Sequence, residues 1–214
     1  MNKKFQDKDY WIEYYERNLN NLKNNPPSPF AKYLVENKYL EKPKKIIELG
    51  CGNGRDSIYF SKNNSLVTAV DQCENTTKLL NECKNIDSFP ADFTNLSAFP
   101  DLISFDIVYS RFTIHSIDEN GEDRTLNWAY DSLVNGGLLC IEARTTKDPL
   151  CGKGEYKGDY IWFFNNHHRR FVDAKRLKKK IESIGFNIKY FLESNGLAKY
   201  KNEDPIVLRL IAQK

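Results

Sequence analysis

From Lys45 to Glu142 the chain alternates between two periods. Apolar-rich runs at Lys45–Leu49, Leu66–Val70, Phe105–Tyr109 and Leu138–Glu142 read as strands, with a short one at Asp87–Phe89. Between them, Arg55–Lys62, Glu74–Lys84 and Glu122–Leu133 have helical spacing, with Asn135-Gly136-Gly137 as the last helix's stop signal. Such alternation predicts a mostly parallel sheet with helices on both faces. Upstream, Tyr10, Trp11, Tyr14, Tyr15 and Leu19 give residues 8–24 an aromatic helical face. Asn24 to Pro29 breaks it, and a second helix is expected from Phe30 to Tyr39. Downstream, residues 145–170 show no clear period and are expected to form a long loop. Ala174–Ile184 reads as a basic amphipathic helix ended by Gly185, followed by strands at Asn187–Leu192 and Ile206–Ile211.

Composition narrows the class. A chain of 214 residues is one domain, or one domain with appendages, large enough to bury a core without disulfides or metals. Its 32 basic and 29 acidic side chains nearly balance, which argues against a dedicated nucleic-acid binder. Five cysteines with no C-x-x-C, and only three histidines, assemble no zinc site, so no metal is expected and the thiols read as reduced. A polar start and the lack of a long apolar run predict neither signal peptide nor membrane span, hence a cytoplasmic protein. Oligomeric state is not legible.

Candidate chemistry concentrates in Glu48-Leu49-Gly50-Cys51-Gly52-Asn53-Gly54-Arg55. The glycines allow a tight turn and a close approach of backbone to a ligand, and the amides of the next helix can donate to it. The spacing is G-x-G-x-G, where a pyrophosphate fingerprint is G-x-G-x-x-G. Glu48, two residues before the first glycine, suits a ligand carrying positive charge.

This stretch resembles the first motif of the class I S-adenosylmethionine-dependent methyltransferases, and further segments match in order. Val67-Thr68-Ala69-Val70-Asp71 ends its strand in an acid about twenty residues after the loop, where a ribose diol would be held. Pro90-Ala91-Asp92-Phe93 fits the family's adenine contacts, an acid for the amino group and an apolar cover. Phe105-Asp106-Ile107-Val108-Tyr109 resembles the family's fourth strand. Ser110 and Arg111, just beyond, would meet the methionine part of the cofactor. The resemblance therefore implies Glu48, Gly50, Gly52, Asn53, Gly54, Arg55, Asp71, Gln72, Asp92, Phe93, Ser110 and Arg111 as cofactor residues. His115 is the candidate base near the methyl group, because a histidine titrates near neutral pH; its alternative is a hydrogen-bonded residue shaping the pocket. No D/N-P-P-[FY] tetrapeptide follows the fourth strand, which argues against methylation of an exocyclic base nitrogen.

The periphery supplies candidates for the acceptor. Asp159 to Phe171 mixes aromatics, histidines and arginines, and guanidinium forks suit phosphate or carboxylate. Tyr14, Arg144, His168, Arg169 and Arg170 are the expected contacts, with a small anionic acceptor as partner. The flanks, Tyr10-Trp11 to Phe30 and His168 to Phe171, also resemble small bacterial methyltransferases of surface-polysaccharide precursor pathways, which implies a phosphorylated or nucleotide-linked acceptor. The other readings are an RNA or protein methyltransferase and a cofactor-binding partner subunit without chemistry. The implied fold is a Rossmann-like three-layer α/β sandwich with a seven-stranded sheet ending in a reversed hairpin. A helical cap would cover residues 1–43 and the methyltransferase domain residues 44–214.

Overall fold

A computed structural model describes residues 8–17, 25–99, 101–165 and 167–214. The frame is a seven-stranded sheet in the order β3-β2-β1-β4-β5-β10-β9. Its parallel part is β1 (Lys45–Leu49), β2 (Leu66–Asp71), β3 (Ile86–Pro90), β4 (Phe105–Arg111) and β5 (Leu133–Arg144). The strands β9 (Asn187–Ser194) and β10 (Val207–Gln213) close one edge as an antiparallel hairpin. This is the expected reversed hairpin.

Strand alternation divides the core between the two faces. Ile47, Leu49, Val108, Leu139 and Ile141 pack with Leu126 of α5 (Glu119–Ser132) and with Leu177 and Ile181 of α6 (Ala174–Ile184). Ile46, Val67, Ile107, Tyr109 and Ile211 face the other way. They meet Phe30 and Leu34 of α2 (Pro29–Glu36), Phe60 of α3 (Arg55–Lys62) and Leu80 of α4 (Glu74–Leu80). The result is a three-layer sandwich.

Helix ends follow local chemistry. Ser28 caps α2 by accepting from the Ala31 amide at 3.1 Å, with Pro29 at the first helical position. Asp173 caps α6 and Gly185, at φ +119°, stops it. Asp118 caps α5 by accepting from Gly121 N at 2.7 Å, so this helix starts three residues before the expected Glu122. Asn120 and Gly121 form the helix's first turn. Asn135-Gly136-Gly137 is not a helix stop either. It lies within β5, where Gly136 N donates to Lys214 O and Lys214 N to Gly137 O.

Residues 145–170 differ most from expectation. They contain an antiparallel sheet of β6 (Glu155–Gly158), β7 (Ile161–Phe164) and β8 (His167–Arg170). Gly158, Asp159 and Tyr160 all take positive φ in the tight turn between the first two strands. Helix α1 (Lys8–Arg17) covers the first part of the aromatic segment, whose remainder, residues 18–24, lies outside the described residues. Among the described residues no helix is long and apolar enough to cross a membrane.

Candidate active site

The carboxyl ends of β1, β2, β4 and β5 open into a cavity of about 750 Å³. Its floor is the turn after β1. Gly50 and Cys51 donate to Val70 O at 2.8 and 2.9 Å, fixing the turn against β2. Gly52 has φ +51°, and a Cβ there would collide with the Tyr15 hydroxyl of α1. Gly54, at φ +68°, is the N-cap of α3, and a Cβ there would strike Leu80. Bare backbone is therefore a steric requirement on both sides of this loop.

Three acids, Glu48, Asp56 and Asp71, line the cavity. Asp71 accepts from the amides of Gly52 (2.8 Å) and Cys73 (2.9 Å), which holds its carboxylate at the end of β2. Burial pushes Asp71 above its ordinary value, against the pull of these amides. Glu48 is buried and takes a short hydrogen bond from Ser57 Oγ. Burial, reinforced by the neighbouring Asp56 charge, pushes Glu48 well above the usual carboxylate range. Asp56 accepts from Ser28 N and Ser28 Oγ, both at 2.7 Å, and from the Tyr109 hydroxyl at 2.8 Å. Among the described residues neither Glu48 nor Asp71 has a cation within ion-pair distance. A ligand bringing positive charge and a diol fits these acids and this loop.

Basic side chains line the cavity as well. Arg111 and Arg144 line it together with Phe112, and Lys199 and Lys201 reach it from the loop before β10. The Arg111 guanidinium lies over the Phe112 ring at 4.3 Å and that of Arg144 at 5.8 Å. Phe112 itself holds φ +58°, a conformation unfavourable for a bulky residue. Arg144 is tied to Asp148 at 3.0 Å and to Glu203 at 2.8 Å.

Of the residues expected at the cofactor, Glu48, Gly50, Asn53 and Arg55 line the cavity, as do Asp71, Gln72, Phe93 and Arg111. Gly52 lies beneath Tyr15 and Gly54 against Leu80. Ser110 is buried, its hydroxyl 2.5 Å from that of Thr113, which lines the wall. Asp92 caps the 3₁₀ turn Phe93–Ala98, accepting from Thr94 N at 2.9 Å.

The expected acceptor residues divide. Tyr14 and Arg144 line the cavity, but His168, Arg169 and Arg170 do not. The ring of His168 packs on Phe163, and Arg169 donates to Phe164 O. Arg170 is buried, held by the Glu122 carboxylate and by Ile114 O. A guanidinium neutralised in this way joins β8 to α5, and its place in the acceptor set is corrected.

His115 also requires correction. Its Nδ1 accepts the Arg144 backbone amide at 3.1 Å. The ring proton of the neutral imidazole therefore sits on Nε2, and neither nitrogen offers a lone pair to an acceptor. Burial, with the charges of Arg144, Arg170, Arg169 and Arg111, pushes the ring well below its ordinary value. His115 is a neutral hydrogen-bonded residue, the alternative to the base.

Sequence reasoning missed Tyr15, Asp56, Phe112 and the loop from Ala198 to Pro205. Asp56 reads as an ordinary acid in a helix's first turn, and the loop as a plain hairpin connection. Only Lys199-Tyr200-Lys201, basic around an aromatic, carried a usable signal.

Residues 15–190 match the family model described as a methyltransferase domain. A methyltransferase of Staphylococcus carnosus is 22% identical over 154 residues, covering 67% of this chain and 70% of that protein. The probable S-adenosyl-L-methionine-dependent methyltransferase TehB of Haemophilus influenzae is 30% identical over 128 residues, covering 55% of this chain but only 42% of the relative. Among solved structures, the Burkholderia thailandensis 1,6-didemethyltoxoflavin-N1-methyltransferase, with its substrate and S-adenosylhomocysteine bound, superposes with a TM-score of 0.66. That match has 18% identity and covers 87% of this chain and 76% of the other.

Proposed function

This chain belongs to the methyltransferase-domain family and is an S-adenosylmethionine-dependent methyltransferase, and we propose that its acceptor is a small anionic molecule. The observation that carries this reading is that Arg111, Arg144, Lys199 and Lys201 line the same cavity as Glu48, Asp56 and Asp71.

Bound S-adenosylmethionine supplies a methyl group already activated on a sulfonium sulfur. The protein then has to orient and to exclude water. Asp71, fixed by two amides, accepts from the ribose hydroxyls. Glu48 accepts from the ammonium, while Phe93 covers the adenine. Asp56, held by Ser28 and Tyr109, keeps the start of α3 in register with β4. The cations Arg111, Arg144, Lys199 and Lys201 lower the free energy of an anionic acceptor bound among them. A phosphorylated or nucleotide-linked precursor of a surface polysaccharide has the required charge. Lys180 of α6 is engaged by Glu122 and Asp123, which removes the central charge of its basic face from polyanion binding and favours a small acceptor over RNA.

The test offers methyl-labelled S-adenosylmethionine to the protein with sugar phosphates, nucleotide sugars, carboxylates, their neutral counterparts, RNA and protein. Label should enter the anionic small molecules. A neutral counterpart methylated with equal efficiency, or label found only in RNA or protein, would sink the reading.

A further inference from the structure

Arg144 is fixed from three sides without help from any ligand. Its backbone amide donates to His115, its guanidinium lies over the Phe112 ring, and Nη1 donates to Asp148 Oδ2 at 3.0 Å. Asp148 is locked in turn. Its side chain is 0% exposed, and its Oδ1 accepts from Leu150 N at 2.9 Å. Separating this pair would strand a buried charge, so it is a permanent part of the cavity wall.

The second terminal nitrogen has a different partner. Arg144 Nη2 donates to Glu203 Oε2 at 2.8 Å, and the Glu203 side chain is 64% exposed. Glu203 closes a tight turn with Tyr200, the two exchanging backbone hydrogen bonds at 2.9 and 3.0 Å around Lys201 at φ +51°. Residues 199–204 are all exposed, between the buried Ala198 and Pro205. An ion pair with a solvated carboxylate on such a tip is weak and readily exchanged.

One guanidinium thus carries two carboxylates, and the group is net negative as it stands. Arg144 lines the cavity beside Lys199 and Lys201, yet an entering anion can use Nη2 only if Glu203 leaves it. We propose that Glu203 is a specificity-determining residue that competes with the acceptor: its carboxylate occupies Nη2 of Arg144 in the empty protein and is displaced by the acceptor's anionic group. An anion takes over the pairing, whereas a neutral molecule finds Nη2 already engaged, so the resident carboxylate discriminates against it. This rests on the reading of an anionic acceptor.

The probe is inorganic phosphate, titrated by calorimetry into the protein loaded with S-adenosylhomocysteine at about 0.15 M salt, where distant exposed charges are screened. The proteins compared are wild type, Glu203→Gln, Arg144→Gln and the double variant. Glu203→Gln should tighten phosphate binding by about fivefold, the upper range of an exposed ion pair. Arg144→Gln should weaken it, and in that background removal of the Glu203 charge should gain less than about twofold. Phosphate binding by wild type that is unchanged or weaker in Glu203→Gln overturns the competition, makes Glu203 a support for Arg144, and leaves the anionic-acceptor reading intact. A fivefold gain that persists without Arg144 also overturns it, since the charge then acts without the pair. If Arg144→Gln does not fold, Glu203→Gln, on the exposed tip, still decides. Phosphate bound by none of the proteins overturns the anionic-acceptor reading and this inference with it.

Discussion

His115 Nδ1 accepts the backbone amide of Arg144, and this bond ties the turn after β4 to the last residue of β5. The pairing fixes the neutral tautomer and sets the height of the basic wall. His115→Gln should therefore lower turnover through misplacement of Arg144, without removing a titration from the pH–rate profile. The stability effect has a definite sign. The folded ring titrates well below the unfolded one, so the unfolded state binds the extra proton. The histidine's contribution is complete above about pH 6.5 and is lost as pH falls below it. Melting temperatures of wild type and His115→Gln, followed from pH 8 to pH 5, should converge at the acid end. Parallel curves would return His115 to consideration as a base.

Asp71→Ala should weaken S-adenosylhomocysteine binding by about 1.5 kcal/mol or more, the scale of a hydrogen bond to a charged group. Gly52→Ala should do the same by a different route, since its Cβ meets Tyr15 at a positive φ. Calorimetry showing wild-type affinity in both variants would remove Asp71 and the Gly52 turn from cofactor binding.

Glu48 predicts proton release on binding. Burial holds its pKa above the usual carboxylate range, and an ammonium bound beside it favours the ionised form and lowers that pKa. Affinity for S-adenosylhomocysteine should rise with pH as the carboxyl ionises. Binding enthalpies should also differ between phosphate and Tris, in proportion to the buffers' ionisation heats. Identical enthalpies in the two buffers would show that Glu48 is already ionised before binding.

Arg170→Ala should destabilise the protein by about 1.5–3 kcal/mol, because buried Glu122 loses one of its two cationic partners and keeps only Lys180. Catalysis by the folded fraction should change little. Loss of acceptor affinity at unchanged stability would contradict the structural role assigned to this residue.

Ser28→Ala removes a helix cap and one of the donors to Asp56, and should cost about 1–3 kcal/mol in denaturant unfolding. Tyr109→Phe, which removes another donor to the same carboxylate, should be less than additive with it.

The sequence disclosed what local pattern determines. Glycines at alternating positions after an apolar run place the floor of the cavity, and Asp71 stands at the end of the next strand, so both were readable by counting. Arg170 was not, because its partner Glu122 lies 48 residues away and only the fold joins them. The same holds for His115, whose ring is committed to an amide 29 residues on. The sheet at residues 155–170 was missed because its first strand is mostly exposed and shows no buried alternation. The loop before β10 offered only the Lys199-Tyr200-Lys201 pattern, and its place at the cavity was unreadable for a topological reason: the reversed direction of that strand brings it there.

That reversal separates two kinds of evolutionary freedom. In a wholly parallel sheet, a final strand would be entered from the far side. Here β10 begins beside Arg144, so the residues leading into it hang over the reaction side. They end in an exposed tip, with Tyr200 at 61% accessibility and the Lys199 side chain at 68%. Substitutions at such a tip disturb little packing, whereas the glycine turn and Asp71 are locked to the core. Acceptor choice can thus drift quickly at a hairpin tip while cofactor recognition stays fixed, and related chains should diverge first between Leu197 and Pro205.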